Sequence, residues 1–160
     1  MSGRVGIGVD AHRRVTGRKL YLGGVEIPSE FGLEAHSDGD VIVHALIDAL
    51  LGAAALGDIG KHFPPADESY RDIRSTELLS RTMVLLADAG YRVNNVDVTV
   101  MCQEPKLQPH VEEMRTKLSS ILRIDPGSVS VKGTTLEGMG FTGRREGIAA
   151  TAVVLIEESV

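Results

Sequence analysis

Tryptophan is absent from the 160 residues, and aromatic side chains make up only 4% of them. A core in this chain must therefore be built from Val, Ile, Leu and Ala, which the 42% hydrophobic share supplies. The single cysteine, Cys102, excludes an intrachain disulfide and any all-cysteine zinc site, and it fits a reducing compartment. Runs of five basic residues are missing too, and the formal charge is −5, which argues against a nucleic-acid partner. A small anionic substrate stays open, because a few local cations outweigh a weak global field. The longest apolar stretch, Val41 to Leu56, is interrupted by His44 and Asp48 and falls short of the roughly 20 residues that span a bilayer. With no apolar N-terminal stretch of the secretory kind, the expected location is the cytoplasm, without membrane contact.

What is present reads as one domain over residues 1–160, a length within the usual range for a single domain. Arg4 to Val9 alternates apolar residues with glycine as a first strand. Lys19 to Leu22 and Val25 to Ile27 flank Gly23-Gly24 as a hairpin. Ser37 is the expected N-cap of an apolar helix that ends near Gly57, and Gly57 to Asp72 reads as a long loop without structure of its own. Ile73 to Ala89 and Pro109 to Leu122 have helical spacing, with Gly90 and Pro109 as boundary residues. Tyr91 to Cys102, with Val96, Val98 and Val100 on one face, Ser128 to Lys132 and Gly147 to Ile156 read as strands. Hairpins mixed with helical crossovers predict an α/β (α+β) sandwich, a mixed β-sheet covered by helices on one face. The helix from Val41 is apolar almost all round, so its remaining face is expected against another subunit.

The polar residues of interest are few. Asp10 and His12 stand at i, i+2 and share a face if the strand continues that far. Alone, Asp-x-His reads more readily as a surface or core pair than as a ligand pair. His44 sits inside the apolar helix, where an unpaired imidazole is costly to bury. It reads either as a core histidine satisfied by Asp48, one turn on, or as a metal ligand oriented by a polar neighbour, with Asp48 the candidate. Together Asp10, His12 and His44 would supply three ligands and leave a position open, as catalytic zinc sites do. His36-Ser37-Asp38-Gly39-Asp40 precedes a helix start, which suits either capping or anion binding through backbone N–H groups. Gly133-Thr134-Thr135-Leu136-Glu137 and Phe141-Thr142-Gly143-Arg144 fit a glycine-rich turn or a phosphate-binding cluster, with Glu137 a hard oxygen ligand of the magnesium type.

In this order, the strings Gly8-Val9-Asp10-Ala11-His12, Ala35-His36-Ser37-Asp38-Gly39-Asp40-Val41, Leu56-Gly57-Asp58-Ile59-Gly60, Pro105-Lys106-Leu107, Lys132-Gly133-Thr134-Thr135 and Gly140-Phe141-Thr142-Gly143-Arg144 resemble the 2-C-methyl-D-erythritol 2,4-cyclodiphosphate synthase family. The likeness runs from about residue 4 to 157. It implies a lyase of non-mevalonate isoprenoid biosynthesis, a homotrimer with active sites between subunits. The implied substrate carries a cytidine diphosphate moiety, 4-diphosphocytidyl-2-C-methyl-D-erythritol 2-phosphate, and CMP is the leaving product. By position the resemblance implies Zn2+ on Asp10, His12 and His44, and a second divalent cation, Mg2+ or Mn2+, on Glu137. It assigns transition-state stabilisation to His36 and Thr135. Substrate contacts fall to Asp10, His12, His36, Ser37, Asp58, Ile59, Gly60, Phe63, Pro64, Pro65, Ala66 and Asp67 on one side. On the other they fall to Cys102, Gln103, Glu104, Pro105, Lys106, Leu107, Gln108, Thr134, Thr135, Leu136, Glu137, Phe141 and Arg144. Leu136 stands where the family usually has a polar residue, which leaves a backbone contact there, and Arg145 stands where glycine is common. A metal-dependent phosphohydrolase and a non-catalytic binding module are the competing readings.

Overall fold

The computed structural model describes residues 2–160. A long first strand, β1 (Gly3–Thr16), is followed by β2 (Leu20–Leu22), β3 (Val25–Ile27) and β4 (Phe31–Leu33). The buried helix α1 (Val41–Ala53), one turn of helix α2 (Ile59–His62) and α3 (Ser75–Asp88) come next. The second half runs β5 (Tyr91–Met101), α4 (Val111–Leu122), β6 (Val129–Thr134), the single turn α5 (Gly140–Gly143) and β7 (Gly147–Glu158). Five strands form one sheet in the order β4-β1-β7-β5-β6, antiparallel except for the β5–β6 pair, and β2-β3 stand apart as a hairpin. This is the expected mixed sheet with helices on one face. β4 is an addition: three residues were too few to show period-two alternation.

Several expectations shift. The first strand does not stop at Val9 but runs to Thr16, because β7 pairs with it from Gly3 through Arg13 and β4 pairs with its last three residues. α1 ends at Ala53 and is capped by Asp40, not Ser37: the Asp40 carboxylate accepts from the Val43 N–H at 3.1 Å. The same carboxylate accepts from Gly23 and Gly24 N–H at 3.0 and 2.7 Å, so the hairpin turn is tied to the helix start. Both glycines have positive φ (61° and 78°), as a tight two-residue hairpin turn requires. The 57–72 segment is not structureless. Asp58 caps α2, and Asp67 caps a 3-10 turn at Glu68–Tyr70.

α1 finds all its burial within its own chain. Val41 through Ile47 and Ala49 through Leu51 are buried between the sheet and α3, so no second subunit is needed to cover it. The apolar surface left open lies instead on the sheet's far side, where Val5, Ile7 and Val9 of β1 are each more than 60% exposed beside Val153 of β7.

The close seat of α1 on the sheet is set by β1. A Cβ on Gly6 would lie 1.9 Å from the Ala49 carbonyl oxygen, and one on Gly8 would lie 2.0 Å from that of Ala45. Two strand residues advance about 6.7 Å and four helix residues about 6 Å, so the glycines keep step with successive helical turns. The helix runs opposite to the strand, and its side chains lean toward its N-terminus. His44 therefore leans toward the next inward positions of β1, Asp10 and His12.

Replacing Gly8 with Ala should force α1 off the sheet and destabilise the protein by about 1–3 kcal/mol, the usual cost of overpacking. Gly52 in α1 has nothing within 4 Å of an added Cβ. Gly52→Ala should thus be neutral or gain up to about 1 kcal/mol from helix propensity. Urea unfolding of both variants checks the pair, and equal effects would contradict the close-approach argument.

Candidate metal centre

Asp10, His12 and His44 meet, as the resemblance implied. Asp10 Oδ2 lies 2.8 Å from His12 Nε2 and 3.1 Å from His44 Nδ1, and the two ring nitrogens are 3.1 Å apart. Ligand atoms of a tetrahedral zinc at about 2.0–2.1 Å stand about 3.3 Å from one another, so this triangle needs only a few tenths of an ångström to accept the ion. One carboxylate and two imidazoles is also the chemistry of a catalytic zinc set with a position left open. The residues fit the metal.

The electrostatics favour a cation. Burial raises the Asp10 carboxyl, but hydrogen bonds and charge from His12 and His44 more than offset it, and its pKa falls from 3.8 to about 2. Burial would depress His44, yet the adjoining Asp10, with Asp40 and Asp38 behind it, raises the imidazole above its ordinary value. A group of charges that draws a proton onto His44 is one that a divalent ion would satisfy better.

Asp48 does not orient His44. Its carboxylate accepts instead from the Ile59 N–H at 2.8 Å and so anchors the start of α2. The far nitrogen of His44, Nε2, faces Ser75 Oγ at 2.7 Å and Ser37 Oγ at 3.0 Å. Ser75 opens α3, 31 residues away, and no periodicity in the sequence connects it to His44. The 35–37 loop is held by Arg18, whose guanidinium donates to the Ala35 carbonyl at 2.7 Å and to that of Ser37. Sequence reasoning missed Arg18 as well as Ser75.

Around the triad is a cleft of about 210 Å³ that also holds His36, Ser37, Ile59, Gly60, Phe63 and Pro65. Tyr70 joins them unforeseen, its ring edge-on to Phe63 at 5.7 Å. His36 Nε2 lies 3.3 Å from the Asp67 carbonyl, which ties the two loops of the cleft together. A separate cleft of about 330 Å³ is lined by Cys102, Gln103, Pro105 to Gln108, Thr134 and Thr135. Sheet register sets His12 opposite Ile148, and Met101 opposite both Ala149 and Thr134. Both clefts thus lie at one end of the sheet, with β7 and β5 between them.

The remaining assigned residues stand apart from these linings. Asp58 and Asp67 cap helical turns, with Pro64 and Ala66 on the surface between them. Glu104 pairs with Arg14 at 2.6 Å, and Arg144 with Glu146 at 3.0 Å. Leu136 and Phe141 are exposed, and the Glu137 N–H donates to Thr135 Oγ1 at 3.3 Å beyond the end of β6. Glu137 is not part of the Asp10–His12–His44 cluster. The Cys102 thiol donates to the Glu104 carbonyl, and burial pushes its pKa up to about 11, which makes it a poor nucleophile.

An α/β sandwich in which β1 and α1 bring three side chains able to ligate a metal together in one cleft has the form of an enzyme. The particular family follows from comparison: the chain belongs to the YgbB family, whose model matches residues 3–157. It is 58% identical over 156 residues to the 2-C-methyl-D-erythritol 2,4-cyclodiphosphate synthase of Syntrophomonas wolfei, covering 98% of this chain and 99% of that one. To the synthase of the same name from Symbiobacterium thermophilum it is 57% identical, covering 95% and 97%. Among solved structures it superposes on the bifunctional IspDF of Campylobacter jejuni with a TM-score of 0.95 at 40% identity. That match covers 98% of this chain and 42% of that longer one. The CDP complex of IspF from Plasmodium falciparum matches with a TM-score of 0.87 at 33% identity, covering 99% and 98%.

Asp40 offers a pH test of how the centre is framed. Burial and the nearby Asp38 raise its carboxyl from 3.8 to about 6 against the pull of three backbone N–H donors. Between those values the folded protein holds a proton that the unfolded chain has released, so Asp40's contribution to stability falls as pH rises across the window and levels off above it. In metal-free protein, the stability difference between wild type and Asp40→Asn should change by at most about 3 kcal/mol over that range, with the wild type losing ground as pH rises. Chemical unfolding at stepped pH measures it, and a flat difference would show that Asp40 does not titrate there.

Proposed function

We propose that this chain converts 4-diphosphocytidyl-2-C-methyl-D-erythritol 2-phosphate into 2-C-methyl-D-erythritol 2,4-cyclodiphosphate and CMP, a step of non-mevalonate isoprenoid synthesis. The observation that carries the reading is the convergence of Asp10, His12 and His44 within 3.1 Å of one another. The full-length likeness to proteins named for that reaction supports it. The reaction is an intramolecular phosphoryl transfer: the 2-phosphate oxygen attacks the β-phosphorus, the bond to the CMP oxygen breaks, and no water is consumed. Such transfers depend chiefly on positioning and charge stabilisation, so no protein nucleophile is required. A bound Zn2+ would supply Lewis-acid charge, with Mg2+ or Mn2+ on Glu137 as the second cation.

The chain's own residues hold the substrate. His36 and Thr135 stabilise charge developing on the transferring phosphoryl group. Ser37, Asp58, Ile59, Gly60 and the run from Phe63 to Asp67 bind the erythritol side. Cys102 to Gln108, with Thr134 to Glu137, Phe141 and Arg144, take the cytidine and its phosphates. Closure of the loop after Gly60 over the cleft keeps water from competing for the diphosphate.

A homotrimer would join the two clefts, which β7 and β5 separate within one chain, by placing one subunit's nucleoside loop against a neighbour's metal cleft. The open apolar face of Val5, Ile7 and Val9 is the surface such copies would share. Among the described residues no helix is long and apolar enough to cross a membrane. The same reading takes the protein as a cytoplasmic enzyme with one catalytic domain over residues 1–160.

With Zn2+ and Mg2+ present, mass spectrometry should find CMP and a cyclic product with no added water. A linear product one water heavier would instead establish hydrolysis. His44→Ala should lose both zinc and turnover while remaining folded. Separately, Ile7→Asp should shift the protein from trimer to monomer in analytical ultracentrifugation, and an intact trimer would place the subunit contact elsewhere.

A further inference from the structure

Nε2 of His44 meets a hydroxyl whose own proton is already committed. Ser75 Oγ–H donates to Asp38 Oδ1, and the Ser75 N–H donates to Oδ2 of the same carboxylate at 2.9 Å. Asp38 also accepts from the Asp40 N–H at 3.1 Å and from Arg74 Nε at 3.3 Å. Arg74 is fixed in turn: its guanidinium lies 4.1 Å over the Tyr21 ring, and it donates to the Gly24 carbonyl at 3.3 Å. Four donors from three residues surround Asp38, which is 7% exposed, and only a carboxylate acting purely as an acceptor satisfies them all.

A hydroxyl has one proton to give. With that proton on Asp38, Ser75 Oγ has only lone pairs to offer His44, so the ring nitrogen 2.7 Å away must be the donor. Ser37 Oγ, which already accepts from the Gly39 N–H at 3.4 Å, is the weaker partner at 3.0 Å. A neutral imidazole carries one N–H. Placing it on Nε2 leaves Nδ1 bare, 3.1 Å from Asp10 Oδ2 and from His12 Nε2, and His12 Nε2–H, itself 2.8 Å from Asp10 Oδ2, is then the donor on that side.

We infer that Asp38, acting through Ser75, is the positioning device that sets the tautomer of His44 and so presents its Nδ1 lone pair to the metal. Arg74 adds a donor to the same carboxylate from Nε at 3.3 Å. This explains why an acidic side chain lies buried just before α1, where the helix is already capped by Asp40. It deepens the metal-centre reading and rests on it for function, but the tautomer is a property of the chain with no ion bound.

The test is nitrogen-15 NMR of labelled histidine in the metal-free protein, at a pH high enough to leave His44 neutral. The expected His44 signature is a protonated Nε2 and a bare Nδ1, and the reverse in the wild type overturns the inference without any mutant. In Asp38→Asn the amide can donate to Ser75, which then donates to Nε2 and moves the ring proton to Nδ1. Zinc affinity, measured by chelator competition, should fall about 10–100-fold, the range for losing a partner that orients a metal ligand. Ser75→Ala, a smaller change should Asp38→Asn unfold, should give a mixed tautomer and a drop in the same range. Unchanged tautomer and affinity in a folded variant overturn the inference. Absence of zinc binding in the wild type would refute the metal centre itself, while the tautomer measurement would still decide whether Asp38 acts through Ser75.

Discussion

The contact on which the structure depends is backbone against backbone, where α1 rests on β1 at Gly6 and Gly8. Side chains at those positions would hold the helix farther from the sheet, because their Cβ atoms would fall within 2.0 Å of helix carbonyls. The approach fixes the height of α1 and its register along the strand. His44, Asp10 and His12 meet as a consequence. A candidate metal centre that joins two neighbours on β1 to a helix residue 32 and 34 positions away is thus built on rigid elements of the scaffold and not on loops, which holds it to the small tolerances that coordination demands.

Buried carboxylates organise the same end of the helix, each with a distinct duty. Asp40 satisfies the free N–H groups of α1 and the β2–β3 turn, while Asp38 gathers Ser75, Arg74 and the Asp40 N–H. Asp10 points to the ring nitrogens. Placing three acids close together is costly unless each is matched by donors, and the upward shift of Asp40 records that strain. The accumulated negative charge is balanced best when a divalent cation joins the group. Function and local stability are in this respect the same electrostatic problem.

The sheet's two faces have divided roles. The inward face pairs Ala150 and Ala152 with Val98 and Val100 beneath the helices, where small residues on β7 make room for α1. Its outward face leaves Val5, Ile7 and Val9 to solvent in the single chain. Period-two alternation makes this inevitable: with one set of β1 side chains reserved for the helix and the metal, the other set faces out. An apolar outward set is what a strand needs if its second face is also to be covered.

Much of this was legible in the sequence, and for identifiable reasons. The glycine hairpin, the strand at Val96, Val98 and Val100, the helices at either side of Tyr91 and the i, i+2 relation of Asp10 and His12 follow from local periodicity and turn chemistry. The motif strings carried the family, and with it the ligand set. Tertiary structure alone decided the rest. Ser75 in place of Asp48 beside His44, Asp40 in place of Ser37 at the helix start, and an open apolar sheet face in place of an open helix face each turn on partners far apart in the chain. A sequence specifies which side chains share a face, because backbone geometry repeats every two or 3.6 residues. Which hydroxyl or carboxylate a buried imidazole meets depends on how whole elements pack, and no local period encodes that.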